Sequence, residues 1–372
     1  MIVMDIQIDN FFAFKNFHMN MSYPKKIVDS YVKEEFLKDR SNFRYKKVNI
    51  LMGANATGKT SFGRMLMKIF NFMQKKQAER ITEVICDHTK EASFSMDFIT
   101  DSYELYRIVT KISPRKGDEY KNSDIDVCVK KVEINAKDSY ESCCKRFDKI
   151  VYEKKNNFIE ELEVVEGLSW LFEYPSENLK KYKAPSENVE RYLQILEKTL
   201  KALDPSIKKV ERIKGVENAF VLWMENQPII IQDGQIIDTN ILSSGTKAGI
   251  AIANVVASII NGENGFYYCD EKFSYIHSDI EKAFLAVIIE SLKSNDQLFF
   301  TTHNTDILDL PLPKHSFVFL RKDCKDSFQP IKCISASKYL KRNTDSLRNA
   351  VDNDLFSSAP SVELVYEIAN LI

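Results

Sequence analysis

The sequence predicts an α/β fold: a mixed sheet with antiparallel N-terminal strands and a helical subdomain inserted in the middle of the chain. Three observations carry this. Ile2, Met4, Ile6 and Ile8 alternate with polar residues, and Phe94, Met96 and Phe98 do the same further on, the period of half-buried strands. Val48, Ile50, Leu51 and Met52 form an apolar run that meets a glycine-rich octet, GANATGKT, at 53–60. After it, Phe62, Met65, Leu66, Ile69, Phe70 and Met73 recur at helical spacing.

The elements follow in order. The start reads as a strand, a turn through Phe11, Phe12 and Phe14, and a second strand from Phe17 to Met21. Residues 23–46 are polar and mixed, and predict a surface excursion. Strands are expected across 92–112. From 113 to 150 the chain is charged and weakly patterned. Segments 158–174 and 187–203 predict helices; the second puts Val189, Tyr192, Leu193, Leu196, Leu200 and Leu203 on one stripe, and Pro175 and Pro185 bracket the KKYK turn between them. Strands return over 216–238, where IIIQDGQIID joins two apolar runs through Asp233-Gly234, a hairpin signal. A helix at 246–261, an apolar run into Asp270, a helix at 278–293, a strand at 297–301 and a mixed tail complete the chain. The expected division is an N-terminal lobe at 1–112, a mostly helical subdomain at 113–205 and a C-terminal lobe at 206–372.

Composition narrows the function. The chain has 372 residues, 44% apolar and 28% charged, with a formal net charge of −1, which excludes a disordered or collagenous chain. Global charge gives no reason to expect nucleic-acid or membrane binding. Seven cysteines at irregular spacing, with no CxxC pair, argue against zinc and against a disulfide framework. The start lacks a basic segment, and the longest uncharged apolar-rich run, Ala248 to Gly262, is too short for a bilayer. A cytoplasmic protein without a membrane partner is expected.

GANATGKT fits GxxxxGK[ST] in the required context, a strand before and a helix after. Backbone N–H groups of Gly53, Ala54, Asn55, Ala56, Thr57 and Gly58 would wrap phosphate oxygens, and the helix start adds its positive end. Lys59 supplies a full charge and Thr60 a hydroxyl for Mg²⁺, and Ser61 is counted with the nucleotide-binding residues. The bland alternative is a glycine turn with no ligand. Phe266, Tyr267, Tyr268 and Cys269 deliver Asp270 and Glu271 at a strand end. In a nucleotide site Asp270 would hold Mg²⁺ and Glu271 would act as general base on water. Otherwise they are an ordinary acidic loop start. Ser243, Ser244 and Gly245 open an apolar helix, a second anion-ready N-terminus or a plain serine cap. His303, directly off the strand 297–301, could donate to a γ-phosphate or be a satisfied strand-end histidine.

In this order the pieces resemble the ABC-type ATPase family. GANATGKT resembles its Walker A, LSSGT its signature, FYYCDE its Walker B, TTH its switch-histidine strand, and YIHSD its dimer-contacting loop after Walker B. The opening IQIDNFFAFKNF and the form SSGTK are similar to stand-alone bacterial ATPases of OLD-, RecF- and AbiL-like type, found in phage-defence systems such as PARIS and Septu. The likeness covers about 1–20, 46–75, 200–215 and 238–310. It implies ATP and Mg²⁺ as ligands, Glu271 and His303 as catalytic groups, and Thr60 and Asp270 at the metal. It also implies a homodimer or higher oligomer in which Ser243, Ser244 and Gly245 of one subunit face the other's nucleotide. Three departures stand out. No glutamine occurs over 78–193, where the family's Mg²⁺-contacting glutamine falls. Ser244 replaces a signature glycine. About seventy residues follow His303, too few for the Toprim nuclease of OLD proteins; a DxD occurs at Asp352 and Asp354 with Glu363 nearby, but it lacks a preceding apolar strand. The leading expectation is the sensor or scaffold ATPase of an anti-phage pair whose nuclease or Toprim effector is a separate protein. The alternative is a RecF-like repair ATPase with DNA as its ligand, for which the basic stretches 179–183 and 338–348 are the candidates. A transporter subunit would need the glutamine, and a module that holds ATP without turnover would not need Glu271.

Overall fold

The computed structural model describes residues 1–27, 30–100, 102–175, 189–216, 219–225, 227–232, 235–236, 243–342, 345–357 and 363–368. These form two compact units. The first comprises Met1–Phe172, Gly265–Tyr268 and Ser294–Ile372; the second comprises Glu173–Asn264 and Cys269–Lys293.

The first unit holds a five-stranded antiparallel sheet in the order Phe17–Asn20, Ile2–Asp9, Ala92–Ile99, Glu104–Ile112, Ile125–Glu133. The alternation read at the N-terminus is the reason: Ile2, Met4, Ile6 and Ile8 are buried while Gln7 faces solvent. A second sheet has six strands, in the order Ile331–Ser335, Phe317–Lys322, Val48–Met52, Gln297–Thr301, Phe266–Asp270, Trp170–Glu173. Val48–Met52 lies parallel to both its neighbours. It is buried at all five positions, as a central parallel strand is; its one polar residue, Asn49, donates its side-chain amide to the Lys46 carbonyl at 2.9 Å. The helix Lys59–Lys75 presents Phe62, Met65, Leu66, Ile69, Phe70 and Met73 inward.

Three expectations differ from what forms. The excursion at 23–46 contains the short pair Phe36–Leu37 and Arg40–Arg44 and contributes Leu37, Phe43 and Tyr45 to a buried cluster with Ile2, Met4 and Ile99. Segment 158–174 is helical only over Phe158–Leu162. Gly167 then takes φ 70°, and Trp170–Glu173 is a strand. Within 113–205 the described residues include the nine-residue strand Ile125–Glu133 as well as helices Tyr140–Phe147 and Val189–Leu203.

In the second unit, Val189–Leu203 buries Tyr192, Leu193, Leu196 and Leu200 against an antiparallel sheet, Ile207–Arg212, Ala219–Met224, Pro228–Gln232 and Gln235–Ile236. Gln232 and Gln235 pair across the expected hairpin; Asp233 and Gly234 lie outside the described residues, as do the KKYK turn and the stretch 179–183. The helix Ser244–Asn261 packs on the same core through Ile250, Ala253 and Ala257. A Cβ on Gly249 would stand 2.6 Å from Leu203 Cδ1, so this glycine lets the two helices approach. The helix Ser278–Ser291 completes the unit. No described helix is long and apolar enough to cross a membrane.

Candidate nucleotide-binding site

The octet in the first unit is a tight turn fixed from both sides. At Gly53 the backbone takes φ 147°. A Cβ there would stand 2.4 Å from the Leu320 carbonyl oxygen and 2.9 Å from Thr57 Oγ1, so the position admits only glycine. Thr57 Oγ1 donates to the Ala54 carbonyl at 2.9 Å and ties the turn together. Gly58, at φ 103°, starts the helix Lys59–Lys75, with no side-chain cap and no acidic residue in the first turn. A helix start lacking both is suited to an anion. Asn55 and Ala56 at the tip are exposed; Ala54, Thr60 and Ser61 are half-buried.

Lys59 is only 4% exposed. Its Nζ donates to the carbonyls of Gly53 at 2.9 Å and Ala54 at 3.3 Å, and lies 3.2 Å from His303 Nε2. The ammonium is therefore folded over the turn. Strand pairing brings His303 there across 244 residues. Thr301 registers with Leu51, and the Thr302 N–H donates to the Leu51 carbonyl at 3.3 Å. Asn304 N–H then donates to Thr302 Oγ1 at 2.9 Å and fixes the exit from the strand. The ring sits outside the buried sheet and is exposed.

Two supports of the loop were not visible as functional residues in the sequence. Tyr268 donates its hydroxyl to the Lys59 carbonyl at 2.8 Å. A Cβ on Gly63 would stand 2.3 Å from the Tyr268 ring. The only signal was a lone glycine within an apolar helical stripe, which marks a close approach. The other support is the Leu320 carbonyl against Gly53, from a strand read as part of a mixed tail.

The second unit carries the acidic pair. Asp270 ends its strand fully buried. Glu271 follows, half-buried, at φ 42°, a left-handed conformation that costs a non-glycine residue energy. Ser274 stabilises it, donating its N–H at 3.1 Å and its hydroxyl at 2.8 Å to the Glu271 carbonyl. Next in the chain, buried Lys272 reaches Glu173 at 3.5 Å and donates to the Tyr174 carbonyl at 3.1 Å. Burial pushes the Cys269 thiol well above its ordinary range, which makes it a packing group.

The same unit carries the serine-glycine turn. Ser243 is the N-cap of Ser244–Asn261 in extended conformation, and its Oγ accepts from the Thr246 N–H at 3.1 Å. Ser243 Oγ lies 2.7 Å from Thr246 Oγ1, which in turn donates to Asp204 Oδ2 at 3.1 Å. Gly245 has no neighbour that would crowd a Cβ: the nearest atom is the Tyr275 carbonyl oxygen at 3.6 Å. Ile241, Leu242 and the Ser244 side chain lie outside what is described. Asp204 had no assigned role in the sequence, although it falls in the Asp-Pro-Ser that ends the preceding helix.

The residues suit the ligands they imply. The turn at 53–58 offers a glycine cradle beside a buried cation, the requirement for a polyphosphate. Thr60 in the first unit carries a hydroxyl and Asp270 in the second a carboxylate, each an oxygen donor of the kind Mg²⁺ takes. Among the described residues no three histidine, cysteine or carboxylate side chains cluster as a metal site of their own.

No protein-family model matches this chain, and neither does any curated protein. Solved structures do match. The SMC head bound to the C-terminal winged-helix domain of ScpA is 14% identical over 91% of this chain and 100% of that one, with a TM-score of 0.53. The SMC head with an extended coiled coil, bound to the C-terminal domain of ScpA from Pyrococcus furiosus, is 12% identical over 91% and 98%, at 0.50. The recombination mediator RecF with ATP is 12% identical over 90% and 96%, at 0.39. The fold is thus that of an ABC-type ATPase, a mixed α/β P-loop architecture shared with SMC heads.

Proposed function

We propose that this protein binds and hydrolyses ATP, and that two copies close around two nucleotides. The observation that carries the reading is the turn at Gly53–Lys59 with His303 beside its lysine. It supplies a cradle, a buried cation and a polar group near a terminal phosphate, all on the ABC-type fold. Lys59 and the backbone of 53–58 bind the β- and γ-phosphates. Thr60 and Asp270 would hold Mg²⁺, which would supply neutralisation of phosphate charge. Glu271 takes a proton from the attacking water, the role the resemblance gives it; its left-handed backbone at φ 42° supports the reading. Ser243 and Gly245 meet the partner copy's γ-phosphate; the exposure of Ser243 at the helix start supports an approach from another molecule. The test is Lys59→Ala. A charge-assisted hydrogen bond contributes ~1.5–3 kcal/mol, so ATP affinity falls ~10- to 150-fold by calorimetry. An unchanged affinity would remove the loop from the site.

The biological role proposed is that of sensor or scaffold in an anti-phage pair with a separate nuclease or Toprim effector. It rests on the resemblance of IQIDNFFAFKNF and SSGTK. A plaque assay with the chain and its genomic neighbour tests it: protection must vanish with Lys59→Ala. The alternative is a RecF-like ATPase that binds DNA; in the basic stretch at 338–348, Arg348 is committed to Asp309 at 2.6 Å and Asp306 at 3.4 Å, and DNA affinity that falls steeply with salt is the measurement that would favour this reading.

A further inference from the structure

The hydrogen-bond chain Asp204–Thr246–Ser243 has a direction, and the direction matters. Asp204 Oδ1 accepts from the Ser206 N–H at 3.0 Å and hydroxyl at 2.6 Å, and Oδ2 accepts from Thr246 Oγ1. Burial raises the Asp204 carboxyl, but the hydrogen bonds from Ser206 and Thr246 outweigh it and hold the group below the usual carboxylate range. An ionised carboxylate only accepts. The single Thr246 hydroxyl proton therefore points at Asp204. At 2.7 Å, the contact between Ser243 and Thr246 then has one arrangement: Ser243 donates and Thr246 accepts. Ser243 Oγ also accepts from the Thr246 N–H. Its only proton is thus turned inward, on Thr246, which is 1% exposed.

We propose that Asp204 and Thr246 form a latch that keeps the signature serine from donating to a phosphate until a partner's nucleotide pulls its hydroxyl away. The inference rests on the proposed role of Ser243 at the partner's γ-phosphate. Asp204 and Thr246 act through Ser243 and are positioning residues. The latch sets the ATP concentration at which two copies close, because each closing event breaks one hydrogen bond per signature.

The test uses the full chain carrying Glu271→Gln, which holds ATP without turning it over, and reads the ATP concentration that half-saturates closure by light scattering. Thr246→Val keeps the buried shape and removes the hydroxyl, freeing the Ser243 proton. Half-saturation should fall ~2- to 10-fold, the worth of one neutral hydrogen bond. Thr246→Ser keeps the chain of bonds and should match the parent. Asp204→Asn gives Thr246 a neutral partner and should shift closure in the same direction by less; it guards against a Thr246→Val protein that does not fold. Half-saturation unchanged or raised in folded Thr246→Val, or in Asp204→Asn where the valine variant fails to fold, overturns the latch. Separately, Ser243→Ala tests the underlying reading: full ATP-dependent closure by that variant would discard the signature role itself.

Discussion

Glu271 concentrates the chemical claim at the scale of one residue. It follows a buried strand end, takes a left-handed backbone conformation and has its carbonyl held twice by Ser274. Strain of this kind persists where the surroundings over-determine it, and it clusters at working sites. Glu271→Gln keeps the shape and removes the base. Phosphate release should slow ~10²- to 10⁴-fold, the usual contribution of a positioned general base, with ATP affinity unchanged by calorimetry. Release at the parent rate would assign the proton to another group. Glu271 and Lys59 were both legible from the sequence, because their motifs fix the residue type and the spacing together. Asp204 was not. Its partner Thr246 lies 42 positions away, and no local pattern announces a hydrogen bond formed only by packing.

Among the elements, the helix Lys59–Lys75 does two jobs: it aims its start at the loop and packs its apolar stripe inward. Gly63 sits on that stripe against the Tyr268 ring. Gly63→Ala should therefore lower stability by ~1–3 kcal/mol in urea unfolding, the range for overpacking a close contact. Shrinking the opposing ring with Tyr268→Leu should recover part of it; no coupling between the two would contradict the contact. Where sequence patterning failed, the cause is identifiable. Ile125–Glu133 is an edge strand, and its lysines and acids meet solvent, as edge strands use charge to avoid mispairing. That blurred its alternation. Phe36–Leu37 and Arg40–Arg44 are too short for any period to show, yet they carry Leu37 and Phe43 into the core. Segment 158–174 begins as a helix, but Gly167 at φ 70° ends any chance of continuing it.

For the molecule as a whole, the claim is that each nucleotide needs parts from two copies. Ser243→Arg places a bulky group where the partner's γ-phosphate is proposed to lie, and should abolish turnover while leaving loop affinity near the parent value. Mixed with Lys59→Ala, it should regain activity above either variant alone, because one site of each mixed dimer combines an intact Lys59 with an intact Ser243. Full turnover by Ser243→Arg alone would return 243–246 to an ordinary capped helix start. The most direct measurement is sedimentation velocity of Glu271→Gln with ATP and Mg²⁺, then with ADP and Mg²⁺. The account predicts a faster-sedimenting closed assembly with ATP that dissociates with ADP. One sedimentation coefficient under both conditions would contradict it.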